Sequence, residues 1–303
     1  MIEVRVPATS ANMGAGFDTL GIALCLYNVI RVWETEKDLQ IVTHHPGGYV
    51  SSGEDNLIYK AMHRLFQAAG YRPGGLRIEQ KSQIPMTRGL GSSSACIIGG
   101  MLAANVLAGR PFTYREILNF AAEMEGHPDN VAPALFGGFC VSAMENGVTA
   151  CQSFKLEQRL KFAVMIPDFF VATKKSRGAL PETVPFRDAV FNISHAAALV
   201  AALAAGNIDA IAVGVRDRLH QQYRKNYIDG MDKIFDQSYV LGAKGTYLSG
   251  SGPTILSILR EQDAVWFSAE MNRFLGGFSE PWKCRILSID NVGAVLKVSG
   301  QNK

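Results

Sequence analysis

The chain has 303 residues, 48% of them hydrophobic and 19% charged, with a formal net charge of +3. It is long enough for two domains with cores of their own and sits in the soluble globular range, while the charge is too small and dispersed for a nucleic-acid track. Five cysteines (Cys25, Cys96, Cys140, Cys151, Cys284) stand singly with no C-x-x-C, which argues against a disulfide framework or a zinc site and fits a reducing compartment.

Met1 to Arg5 alternates as a strand and leaves no room for a signal peptide, and the most apolar run, Ala196 to Ala205, is about half a membrane span, so a cytoplasmic protein without a membrane partner is expected. The stretch R-V-P-A-T-S-A-N-M-G-A-G-F-D-T-L-G, Arg5 to Gly21, continues that strand into small residues, one amide and one acid, as a backbone bent round a ligand would. Strands follow at Leu24 to Trp33 and Leu76 to Ile84. Between them Asp55 or Asn56 can cap a helix whose apolar positions from Leu57 to Phe66 share one face, with Gly70 at its left-handed end. Ile84 to Gly109 reads as a strand end at Pro85, a loop of small residues from Arg88 to Ser94, and an apolar helix. Thr113 and Glu116 form a capping box for a helix ending at Gly126. A second cycle starts near Leu160 with a buried strand. It continues through an Ala-rich helix, Asn192 to Ala205, strands around Tyr247 and Ile255, a helix near Ala264 to Leu275, and a last strand near Ile286. A domain boundary is expected near residue 157, giving parts 1–157 and 158–303.

R-G-L-G-S-S-S-A, Arg88 to Ala95, is the most informative stretch. Its glycines allow close backbone approach, and the helix N-terminus directs unpaired N–H groups at an anion. The hydroxyls of Ser92, Ser93 and Ser94 can bind phosphate oxygens or magnesium. The bland alternative is a flexible turn with a serine cap. Neither the Walker nor the Rossmann pattern applies, because no Lys follows the second Gly and Ser94 holds the last glycine position. Y-L-S-G-S-G-P-T-I-L, Tyr247 to Leu256, taken alone is a hairpin turn more often than a site.

Together, these loops resemble the three signature motifs of the GHMP kinases. The match is strongest to the homoserine kinase branch, through Pro7 to Asp18, Arg88 to Ala95, E-G-H-P-D-N-V-A-P at Glu125 to Pro133, and L-S-G-S-G-P-T at Leu248 to Thr254. The resemblance implies an α+β fold in two parts, an N-terminal domain like the second domain of ribosomal protein S5 and a ferredoxin-like C-terminal domain. It implies a kinase that uses ATP and Mg2+, with L-homoserine as the small-molecule acceptor. By similarity Pro85, Met86, Thr87, Arg88, Gly89, Leu90, Gly91, Ser92, Ser93, Ser94 and Ala95 cradle the nucleotide, Asn56 and Leu57 line the adenine pocket, and Ser93 and Glu125 hold the metal. Asn56 could equally be only a helix cap. A zwitterionic acceptor needs both signs of charge, and Asn12, Asp18, His127, Asn130, Thr173, Arg177 and Arg224 are the expected contacts. Asp129 could take the hydroxyl proton. Since homoserine kinases are thought to manage without a dedicated base, it is read as organising the loop, with Asn12 and Asn130 beside the reaction. Met13, Ala15 and Gln222 depart from the usual motif residues without removing a polar group. Homodimers are common among such relatives, although no stretch marks an interface. The competing readings are another small-molecule kinase, such as a mevalonate-type enzyme, and a nucleotide-binding regulator without catalysis. Cys96 is read as a core residue within the serine-loop helix.

Overall fold

A computed structural model describes residues 1–44, 50–157 and 159–299. In chain order its main elements are β1 (Ile2–Ala11), β2 (Leu20–Thr35), β3 (Leu39–His44), α1 (Leu57–Ala69), β4 (Gly75–Ser82), α2 (Ser92–Leu107), α3 (Tyr114–Glu125), α4 (Val131–Phe136), β5 (Phe139–Glu145) and β6 (Val148–Phe154). Next come β7 (Leu160–Pro167), α5 (Thr173–Arg177), α6 (Phe186–Ala204), α7 (Ile211–Gly214), α8 (Gln221–Arg224), α9 (Met231–Val240), β8 (Gly245–Leu248), β9 (Ile255–Arg260), α10 (Ala264–Leu275), β10 (Trp282–Ser288) and β11 (Val295–Val298).

Two sheets organise these elements. The first runs β11-β1-β2-β4-β3, with the β5–β6 hairpin joined to the start of the 16-residue β2. The second runs β10-β7-β9-β8, all antiparallel, which is the strand order of a β-α-β-β-α-β plait and agrees with the ferredoxin-like expectation. The last strand is therefore not the one near Ile286. β11 follows it and pairs with β1, so the chain's C-terminal strand joins the first sheet. No helix among the described residues is long and apolar enough to cross a membrane.

Local sequence explains most of the elements that frame the site. Asn56 accepts hydrogen bonds from the amides of Ile58 and Tyr59, and Gly70 closes α1 in the left-handed conformation at φ 64°. Ile58, Ala61, Met62, Leu65 and Phe66 form its buried stripe. Thr113 and Glu116 make the reciprocal capping box at the start of α3. α2 is apolar all round because it is covered on all sides, lying between the first sheet and α1, α3 and α4. Gly99 and Gly100 permit that approach: a Cβ at Gly99 would lie 2.4 Å from Ile30 Cδ1, and one at Gly100 would lie 2.6 Å from the Ile58 carbonyl oxygen. Just before the N-terminus of this buried helix, the Leu90 carbonyl accepts from the Thr9 amide of β1 at 3.2 Å.

Candidate active site

Gly89 and Gly91 both adopt left-handed conformations at φ 74° and 67°, and α2 begins at Ser92 with no side-chain cap. The first intrahelical bond runs from the Ala95 amide to the Gly91 carbonyl at 2.9 Å, so the amides of Ser92, Ser93 and Ser94 precede the helix ladder. The three glycine-rich stretches meet here. Ser249 Oγ donates to the Gly89 carbonyl at 2.5 Å and shares a 2.7 Å hydrogen bond with Ser10 Oγ, and the Gly250 amide donates to the Ala11 carbonyl at 2.9 Å. A Cβ on Gly89 would lie 2.3 Å from the Ser249 carbonyl oxygen, so only glycine allows this contact. Tyr247 to Leu256 is thus a hairpin connection, between β8 and β9, and also the buttress of the serine loop.

One cleft of about 290 Å3 is lined by Asn12, Leu57, Pro85 to Ser93, Glu125, His127, Asn130, Arg177 and Arg224, together with Val50, Gln80, Cys96, Gly250 and Ser251. Of the other expected residues, Asn56 is 2% exposed and spends its side chain on capping α1. Ser94, Ala95 and Asp129 are buried beneath the cleft wall, and Asp18 is at the rim in contact with Arg177. The side chain of Thr173 lies outside the described residues. Arg88 does not offer its guanidinium freely to the cleft. It donates to the carbonyls of Pro167, Asp168 and Met86, tying the serine loop to the end of β7.

Ser93 Oγ donates to Glu125 Oε1 at 2.6 Å. Burial raises the Glu125 carboxyl above its ordinary range, and the Ser93 bond and the nearby His127 only partly offset that. Among the described residues Glu125 has no ion-pair partner. A half-buried carboxylate beside a hydroxyl at the start of α2 is a hard-oxygen donor set that suits Mg2+.

At the other side of the cleft, Asn12 and Asp18 are left-handed at φ 57° and 52°, and Asn12 Oδ1 accepts from the Asp18 amide at 2.8 Å. That leaves Asn12 Nδ2 to face the cleft. Thr9 Oγ1 donates to Asn130 Oδ1 at 2.6 Å, which orients the second amide in the same way. Asp18 and Arg177 pair at 2.7 Å. Arg224, 2% exposed, donates to the Gly250 carbonyl at 2.8 Å, and its Nε has no partner among the described residues. Burial, then the charge of Arg177, lowers Arg224 to about 10, which still leaves it cationic at neutral pH. Phe17 serves as the platform: the guanidinium carbons of Arg177 and Arg224 lie 5.5 and 5.3 Å from its ring centroid, and the His220 ring stacks at 5.4 Å. His220 Nε2 donates to the Gly14 carbonyl at 2.8 Å, so its Nδ1 is the acceptor facing Arg224. The opening stretch is therefore bent round Phe17 and clamped to α8.

His127 Nδ1 lies 2.6 Å from Asp129 Oδ1, while Asp129 Oδ2 has no partner among the described residues. Burial alone would lower the His127 pKa, but the Asp129 bond and the charges of Asp129, Glu125 and Asp18 overcome it, and the net direction is upward. A raised histidine stabilises the fold fully below its ordinary value of about 6.5, and that contribution fades as pH rises through the folded value. Asp129→Asn is expected to fold and to lower the His127 titration midpoint, read by histidine NMR. An unchanged midpoint would remove Asp129 as its source.

Sequence reasoning did not find Phe17, Gln80 or Asn28, and it placed Cys96 in the core. Cys96 does pack against the core, yet the residue is only half-buried and lines the cleft, and its sulfur accepts from Gln80 and Asn28. Burial pushes its thiol up to about 12, so it stays protonated and unsuited to attack.

The family models for the GHMP kinases N terminal domain and the GHMP kinases C terminal match residues 56–138 and 199–276. Homoserine kinases of Caldicellulosiruptor saccharolyticus and Clostridium beijerinckii are 46% and 44% identical to the chain, each covering 98% of it and 96% and 98% of the relative. The chain belongs to the homoserine kinase family of the GHMP kinases. The crystal structure of homoserine kinase from Cytophaga hutchinsonii superposes with a TM-score of 0.87 at 27% identity, over 98% of this chain and 97% of that one. The mevalonate kinase of Methanococcus jannaschii shares the fold at a TM-score of 0.70 and 15% identity. GHMP kinases are phosphotransferases, and this chain is an enzyme of that class.

Proposed function

We propose that this homoserine kinase family member transfers the γ-phosphoryl group of ATP to the side-chain hydroxyl of L-homoserine, giving O-phospho-L-homoserine for threonine biosynthesis. The observation that carries the acceptor assignment is the Asp18–Arg177 pair beside the buried Arg224, in the same cleft as the serine loop. An exposed pair of this kind contributes about 0–1 kcal/mol and is readily exchanged. A zwitterion can replace it with two pairs, its ammonium at Asp18 and its carboxylate at Arg177 and Arg224, with His127 bordering the same pocket. Mevalonate carries no ammonium for Asp18.

Phosphoryl transfer asks a protein for alignment and charge stabilisation more than for covalent chemistry. The amides of Ser92 to Ser94 and the backbone of Gly89 to Gly91 hold the phosphates, and Ser93 with Glu125 would hold Mg2+. The ion, when bound, neutralises charge on the β- and γ-phosphates. Asn12 Nδ2 and Asn130 Nδ2 orient the acceptor hydroxyl and the transferred group. Asp129, hydrogen-bonded to His127, fixes the histidine ring rather than taking the proton, which leaves late and passes to phosphate. Asp18, His127 and Asp129 bring ligand atoms within 4.8 Å of one another. Beside the acceptor corner the carboxylates of this cluster serve the ammonium, while the metal belongs beside the phosphate cradle.

Acceptors lacking one charge test the clamp. 4-Hydroxybutyrate and 3-aminopropan-1-ol should each lose about tenfold or more in kcat/KM relative to L-homoserine. Equal turnover of either would refute the two-sign corner.

A further inference from the structure

The cleft has an end that neither the phosphate cradle nor the acceptor corner uses. Its lining there includes the apolar residues Val50, Leu57 and Pro85, together with Gln80 of β4 and Cys96 of α2. Gln80 is 2% exposed. Its Nε2 donates to Asn28 Oδ1 at 3.1 Å and to Cys96 Sγ at 3.4 Å. Asn28, 1% exposed, donates in turn from Nδ2 to the same sulfur at 3.6 Å. Both N–H groups of the Gln80 amide are spent on these inward bonds, and its Oε1 accepts no hydrogen bond among the described residues. An amide locked this way presents only an acceptor.

We propose that Gln80 selects the nucleobase: Oε1 accepts a hydrogen bond from the exocyclic amino group of a 6-aminopurine held against Val50, Leu57 and Pro85. A 6-oxopurine would set O6 against Oε1, acceptor facing acceptor, and would leave a desolvated oxygen unpaired. Asn28 and Cys96 are positioning residues that fix the amide's orientation. The inference rests on the reading that this cleft binds a nucleoside triphosphate with its phosphates at the serine loop.

The test compares ATP with ITP, which carries an oxygen in place of the 6-amino group, as phosphoryl donors to L-homoserine. Wild-type kcat/KM should favour ATP by about tenfold or more. Gln80→Leu should bring that ratio close to one, chiefly by raising KM for ATP, with KM for homoserine unchanged. A wild-type ratio near one would overturn the proposal whether or not the variant folds, and so would a folded Gln80→Leu that keeps the wild-type ratio. Turnover with both nucleotides alike would leave the kinase reading intact, whereas no transfer from either would overturn that reading and this one with it.

Discussion

Glu125→Gln is expected to lower kcat for homoserine phosphorylation by about a hundredfold, the scale seen when one preorganised charge-stabilising group is removed. Glutamine keeps the shape and can still meet Ser93, but it withdraws the negative oxygen from a hard-cation site. The same change should raise the melting temperature measured without Mg2+. Burial holds the Glu125 carboxyl above its unfolded value, so the folded state binds the proton more tightly. Stability is then highest below the unfolded pKa and falls as pH rises through the folded value. Glutamine removes that loss. Added Mg2+ should stabilise the wild type more than the variant. Equal magnesium-induced shifts in both would take Glu125 out of the metal site, and a lower melting temperature without Mg2+ would contradict the burial argument.

Arg224→Ala should raise KM for homoserine by about a hundredfold while leaving KM for ATP little changed. Buried, hydrogen-bonded charge pairs typically cost 2 to 5 kcal/mol or more, in order of magnitude, when one partner is truncated. Arg224 is fixed for such a pair by the Gly250 carbonyl, His220 Nδ1 and the Phe17 ring, with Nε unclaimed. Arg224→Lys keeps the charge but loses the planar fork, and should fall between wild type and alanine. Parallel rises in both KM values would mean that the substitution loosened the whole cleft instead of removing a carboxylate contact.

The parts of this site that could be read from sequence are those whose cause is local. The glycines of R-G-L-G-S-S-S are needed where they stand, as their left-handed φ values and the Gly89–Ser249 contact demonstrate. Thr113 and Glu116 cap their own helix, and Ser93 meets Glu125 because α2 and α3 pack together. The β5–β6 hairpin was equally legible and was overlooked: Asn146 and Gly147, at φ 51° and 76°, are the N-G pair of a two-residue turn. α6 begins at Phe186, earlier than its alanines suggest, because Phe186 and Ile193 are 85% and 71% exposed and give no clean amphipathic stripe. β3 and β11 are short strands at the two edges of the first sheet, and β11 buries none of its residues. What sequence could not give is long-range juxtaposition. Asp18 meets Arg177 across 159 positions, and Asn28, Gln80 and Cys96 come together from two strands and a helix. Tertiary packing of strands, helices and loops decides those meetings.

The central claim is that one cleft joins a phosphate cradle to a corner built for a zwitterionic alcohol. A competition experiment tests it most directly: L-homoserine, L-serine, L-threonine, mevalonate and galactose at equal concentration in one reaction with Mg2+-ATP, the products identified by phosphorus NMR and mass spectrometry. O-phospho-L-homoserine should be the dominant product, formed with stoichiometric ADP. Preferential phosphorylation of mevalonate or galactose, or ADP release with no phosphorylated amino acid, would contradict the account.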